Sequence, residues 1–126
     1  MSTREWTERV QDILDAIGEI NAYTAGMEFD AFQDDFRTIR AVELNLIIIG
    51  EAAGRIPDSV QRSHTEIPWS FLRALRNRLV HAYFDVDPQV LWDTIQNDLP
   101  PLTEPMLQLL PFSSKGPGQD SDETSA

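Results

Sequence analysis

Trp6, Val10, Ile13, Leu14, Ile17 and Ile20 recur at the three- and four-residue intervals of one helix face. Glu8, Asp12, Asp15 and Glu19 fall on the opposite side, which reads as a solvated surface. A first long helix is therefore predicted, opening on the capping box Ser2-Thr3-Arg4-Glu5 and ending between Tyr23 and Gly26. Phe29-Asp30-Ala31-Phe32 predicts a short helical turn with Asp30 as its N-cap. A second long helix is predicted from about Asp35 to Ala53, where Phe36, Ile39, Ala41, Val42, Leu44 and the run Leu46 to Ile49 leave little polar face. Three consecutive isoleucines also suit a strand, but the length and helical period around them decide for helix. A helix this apolar is buried on several sides, more than a small monomer needs, and so points to a dimer contact.

Pro57 disfavours helical backbone at Ile56 and ends that helix. Residues 58–66 read as a short turn or loop carrying His64 as an ordinary exposed residue. Pro68 is placed in the first turn of a third helix, whose core stripe is Phe71, Leu72, Leu75, Leu79 and Ala82. Asp87 as N-cap and Pro88 at the first position open a fourth, carrying Val90, Leu91, Trp92 and Ile95. Pro100-Pro101 must interrupt it before Leu102, Met106, Leu107, Leu109 and Leu110 resume the pattern. The expected architecture is all-α: an up-and-down four-helix bundle over residues 1–112, with residues 113–126 a flexible acidic tail lacking any apolar face.

Composition narrows the functional classes. A chain of 126 residues, 41% hydrophobic, holds one core. With no cysteine and two histidines in unrelated contexts, neither a disulfide, a cysteine nucleophile nor a structural zinc site is expected, and no cofactor is implied. The longest uninterrupted apolar run is too short to cross a bilayer and the N-terminus lacks a signal-peptide pattern, so a soluble cytoplasmic protein without membrane contact is expected. The net charge of −11 looks hostile to nucleic acid. It is uneven, however: residues 55–84 carry five arginines against Asp58 and Glu66, a net +3, leaving −14 for the rest. That local footprint suits phosphate, and equally a protein partner.

Within it lies Arg76-Asn77-Arg78-Leu79-Val80-His81-Ala82-Tyr83. Arginine offers a planar fork to phosphate and histidine exchanges protons near neutral pH. The bland reading is a structural hydrogen-bond network on an amphipathic helix. On a straight helix Arg76 and Tyr83 share a face, Asn77 and His81 stack, and His81 stands about 140° round from Arg76. Aiming Arg76 and His81 at one phosphate therefore requires either a loosened helix near His81 or two copies combining their groups. Glu51, at the end of the apolar run, reads either as a partly exposed helix-end acid or as the partner that holds an arginine of this stretch.

Arg76-x4-His81-x-Tyr83, preceded by Ile49-Gly50-Glu51-Ala52-Ala53 and Ile67-Pro68-Trp69 and followed by Phe84-Asp85-Val86-Asp87, resembles the HepT family. These are HEPN-type toxins of type II/VII-like toxin–antitoxin systems, partnered by MNT-type nucleotidyltransferase antitoxins, and the resemblance runs from about residue 4 to 110. It implies a homodimeric helical bundle acting as a metal-independent endoribonuclease. Arg76, Asn77 and His81 would be catalytic, Arg73 and Arg78 would contact RNA, and Glu51 would support the site. It further implies that Tyr83 accepts AMP from the antitoxin, against the plainer reading of a tyrosine packed on the bundle. A non-catalytic module that holds a nucleotidyltransferase is the competing class.

Overall fold

The computed structural model describes residues 3–111, all-α and without a strand among them. Ser2 of the expected capping box and the expected tail lie outside the described residues. Helix α1 spans Thr3–Thr24 and buries Val10, Ile13, Ala16, Ile17 and Ile20. It stops where the Thr24 hydroxyl donates to the Ile20 carbonyl at 2.8 Å and Gly26 takes a left-handed φ of 76°, a backbone state that costs glycine little.

Helix α2, Phe29–Gln33, starts two residues earlier than expected: Glu28, in extended conformation and without a side-chain cap bond, is its N-cap, and Asp30 sits in its first turn. That register presents Phe29 and Phe32 together to the Trp92 ring, at 6.3 and 5.1 Å between centroids. Helix α3, Phe36–Gly54, is capped by Asp35, whose carboxylate accepts from the Thr38 amide (3.0 Å) and hydroxyl (2.8 Å). Those bonds hold the Asp35 carboxyl below the usual carboxylate range. Lying between α1 and the motif helix, and also touching α2, α3 is the middle of the bundle. This position absorbs Leu46 and Ile49, while Leu44 (58% exposed) and Ile48 (38%) stay in solvent.

Where a turn or loop was expected after Pro57, a short helix forms: α4, Asp58–Ser63. Its acid Asp58 and base Arg62 stand at the favourable ends of the helix dipole. Pro68 is the N-cap of the motif helix α5, Trp69–Ala82, rather than part of its first turn; its carbonyl accepts the first bond, from the Leu72 amide. Trp69, Leu72, Leu75 and Leu79 are buried, whereas Phe71, expected in that stripe, is 39% exposed on its rim and Ala82 is half-buried. His64 is half-buried, its carbonyl accepting from the Trp69 indole at 3.0 Å and its Nδ1 standing 3.6 Å from Glu66.

The fourth rod is segmented: α6 (Pro88–Asp93, capped by Asp87), a π turn over Thr94–Asp98, a 3₁₀ turn over Pro100–Leu102, and α7 (Thr103–Gln108). The two prolines bring no N–H, and the wide turn, with Leu99 N–H donating to Thr94 at 3.0 Å, takes up the mismatch. Leu91, Ile95, Leu99, Leu102, Met106 and Leu109 remain one buried stripe across every change of winding. The rod packs on α1 through α7 and on α3 through α6. Thus α1, α3, α5 and this rod are the four walls of the bundle.

Candidate active site at the α3–α5 seam

Gly50 lets α3 and α5 approach closely. A methyl group on it would overlap the Arg76 Cβ and stand 2.8 Å from the Leu72 carbonyl oxygen. The two helices run antiparallel, since Gly50 meets Arg76 and Leu72 while Arg40 meets Tyr83 and Phe84. At this seam the Glu51 carboxylate accepts from Arg76 Nε at 2.7 Å and, through the same oxygen, from Nη2. Arg76 Nη1 donates to Asn77 Oδ1 at 2.9 Å. A guanidinium has five N–H donors, so about two remain for a ligand. Because Asn77 spends its carbonyl on Arg76, its amide N–H₂ is also left to donate. The side chains of Arg76 and Glu51 are only partly covered, at 32% and 42% exposure, so the pair is open to solvent on one side.

That side is a groove of about 390 Å³ lined by Gly50, Glu51, Gly54, Arg55, Arg73, Arg76 and Asn77. Arg73 Nη1 donates to Gln61 Oε1 at 3.2 Å, and Gln61 in turn donates to the Ala53 and Ile56 carbonyls, so the end of α3 anchors Arg73. Three guanidinium groups against one carboxylate give the groove an excess of positive charge, the chemistry that suits an anion. Arg55 went unnamed among the site residues read from the sequence. It stands just past the end of α3, and the only sign of it was its place in the arginine-rich segment.

His81 does not line this groove. It is exposed, and its side chain makes no hydrogen bond or ion pair among the described residues, to Asn77 or otherwise. Helix α5 stays regular through it, and about 140° and about 7.5 Å of helix separate it from Arg76. The break falls one residue later, at Ala82 (φ −149°, ψ 41°). Tyr83 therefore begins a 3₁₀ turn, Tyr83–Asp85, and the straight-helix argument that sets it over Arg76 does not hold. Its ring lies 4.1 Å from that of Phe84, and Arg40 lies 5.5 and 5.6 Å over the two rings. Arg40 is held by Glu43 at 3.0 Å, and burial pushes the Glu43 carboxyl up against the pull of that arginine. Arg78 is exposed and off the groove.

Among the described residues no cluster of three histidine, aspartate or glutamate side chains could hold a metal ion, and no helix is long and apolar enough to cross a membrane. The profile of a family described as "Ribonuclease HepT-like" matches residues 13–109. A Thermococcus cleftensis protein named "Probable ribonuclease HepT" is 42% identical over 99 residues, 79% of this chain and 90% of that one. A Methanocaldococcus jannaschii protein named "Putative RNase" is 35% identical, over 71% of this chain and 74% of its own. Another of that name, from Caldanaerobacter subterraneus, is 33% identical over 68% and 76%. No solved structure gives a significant match.

Proposed function

Since the chain belongs to the HepT-like ribonuclease family, we propose that it is a metal-independent endoribonuclease and the toxin of a toxin–antitoxin pair, restrained by a nucleotidyltransferase that transfers AMP to Tyr83. The observation that carries the nuclease reading is Arg76, fixed by Glu51 and Asn77 with donors to spare at the wall of a cationic groove. His81 takes the proton of a ribose 2′-hydroxyl; the oxygen bonds to the adjacent phosphorus as the bond from phosphorus to the 5′-oxygen breaks, and the leaving 5′-oxygen takes a proton from solvent. Arg76 and the Asn77 amide stabilise the charge that builds on the non-bridging oxygens. A 2′,3′-cyclic phosphate and a 5′-hydroxyl result.

Because helix α5 keeps its winding through His81, the two-copy solution is the one that reconciles Arg76 with His81: a homodimer whose protomers each complete the other's site. Leu44 and Ile48, left in solvent on α3, support such a contact. Leu44→Glu combined with Ile48→Glu is expected to leave the helical content unchanged and to shift the protein from dimer to monomer in sedimentation at micromolar concentration. A wild-type protein sedimenting as a monomer would remove the composite site. With it the balance would move to a helical module that holds its nucleotidyltransferase without cutting RNA.

The proposed regulation rests on Tyr83, which is 37% exposed beside the Arg40 cation. Its phenolic oxygen would form an ester to the α-phosphorus of ATP as pyrophosphate leaves and the phenolic proton passes to the transferase or solvent. The product sets an anion and a nucleoside two residues from His81, where they obstruct RNA. Tyr83→Phe keeps the ring on Phe84 and removes the acceptor. Intact mass after incubation with the transferase and ATP is expected to rise by AMP for wild type and stay unchanged for Tyr83→Phe. Equal gain by both would move the acceptor elsewhere, with Tyr23, 45% exposed, the next candidate.

A further inference from the structure

One turn past Gly50, the groove lining includes a position with no side chain. Gly54 lines the groove, and nothing lies within 4 Å of where its Cβ would stand. Arg55 follows it directly and forms no side-chain hydrogen bond or ion pair among the described residues, while Arg73, tied to Gln61, faces the same space. Arg55 and Glu51 also line a second hollow, of about 150 Å³, with Arg9, Asp12, Ile47, Ile48 and Ala52. The cationic lining therefore runs from Arg76 past Gly54 to Arg55, away from Arg78, and ends there, since in the hollow towards α1 Asp12 and Glu51 offset Arg9 and Arg55.

We infer that Arg55 and Arg73, over the bare backbone of Gly54, form a second phosphate subsite, which holds a neighbouring phosphodiester of the same RNA strand while Arg76 holds the one to be cut. This rests on the nuclease reading for its purpose but not for its binding chemistry. An unpaired arginine keeps its whole fork for a phosphate, where Arg76 has given three N–H donors to protein groups. The missing side chain at Gly54 is what leaves room for the sugar–phosphate chain. The subsite sets which way the strand runs and adds affinity that does not depend on base identity.

The test uses the full chain and a short fluorescent single-stranded 2′-O-methyl RNA, which lacks the attacking hydroxyl, titrated by anisotropy at several salt concentrations. Arg55→Gln is expected to weaken binding about tenfold, as for loss of a charge-assisted hydrogen-bonded contact. It should also reduce the slope of log K against log salt by about 0.7, the value for one phosphate contact on a single strand. Gly54→Leu, whose Cβ meets open space and whose branched side chain adds bulk at the groove, is expected to weaken binding, with circular dichroism confirming that the helical content is unchanged. Arg37→Gln, at the far end of α3, is the control and should bind as wild type. Wild-type affinity in both Arg55→Gln and Gly54→Leu would overturn the subsite, as would a wild-type protein with no salt-dependent binding. Cleavage of unmodified RNA separates the two proposals. Tight, Arg55-dependent binding without cleavage removes the nuclease and keeps the subsite; cleavage with KM unchanged in Arg55→Gln does the reverse.

Discussion

Arg76→Ala is expected to lower RNA cleavage by about 10²–10³, the loss typical when one donor to a developing anion is removed. His81→Ala should cost about 10²–10⁴ as loss of the general base. Both side chains are at least partly exposed, so neither truncation opens a core cavity, and circular dichroism should report unchanged helix content. Arg76→Lys is not expected to rescue. Glu51 grips the guanidinium through Nε and Nη2 while Nη1 holds Asn77, and an ammonium has one nitrogen to do the work of three. Glu51→Gln keeps the size of the clamp and removes its charge; it should cost less than Arg76→Ala, because it loosens the arginine without deleting it. Cleavage should persist in excess EDTA, since the proposed charge stabilisation comes from Arg76. Full activity in Arg76→Ala or His81→Ala, or its loss on chelation, would sink the mechanism. Because the proposed site draws on two copies, the two inactive variants mixed together give a further readout: heterodimers should regain part of the activity in one of their two sites.

The clamp was only half legible: Glu51 read equally as an exposed helix-end acid or as the partner of some arginine in the motif stretch, and since both side chains still reach solvent, only the packing of α3 on α5 singles out Arg76. Periodicity gave the bundle walls: Val10, Ile13, Ile17 and Ile20 can share a buried face only in a helix. What failed was local. The break at Ala82 has no mark in the hydrophobic pattern, since neither proline nor glycine stands there, and it moves Tyr83 off the face that a straight helix assigns it. The residue packed on Tyr83 is instead Arg40, more than forty positions away, which no spacing rule within one helix can find. Glu43 went unnoticed because glutamate in an apolar helix reads as the exposed side, yet it is 3% exposed and survives there by pairing with Arg40. Phe71 erred the opposite way: at the stripe's edge, one helical position decides between core and rim, and only the neighbouring elements set which.

Gly50→Ala is expected to be among the most damaging single-methyl changes in the chain, and to damage structure and site together. The added carbon overlaps the Cβ of Arg76 and crowds the Leu72 carbonyl at 2.8 Å, and both belong to the backbone frame of α5 rather than to a flexible tip. Helices α3 and α5 must move apart, which opens the packing of Leu46, Ile49, Leu72 and Leu75 between them. Overpacking of this kind typically costs about 1–3 kcal/mol. Alanine's better helix propensity returns up to about 1 kcal/mol, so packing wins over most of that range. Where packing wins by about 1–2 kcal/mol, the fall in Tm for a domain of this size is roughly 3–10 °C. The displacement also carries Arg76 away from Glu51, so cleavage measured well below the lowered Tm should still be reduced, by more than the folded fraction explains. Gly54→Ala, in the same helix with open space at its Cβ, is the matched control and should leave Tm unchanged or raise it. If Gly50→Ala melts with wild type and cleaves with it, the close approach of the two helices is not what holds Arg76 at the groove.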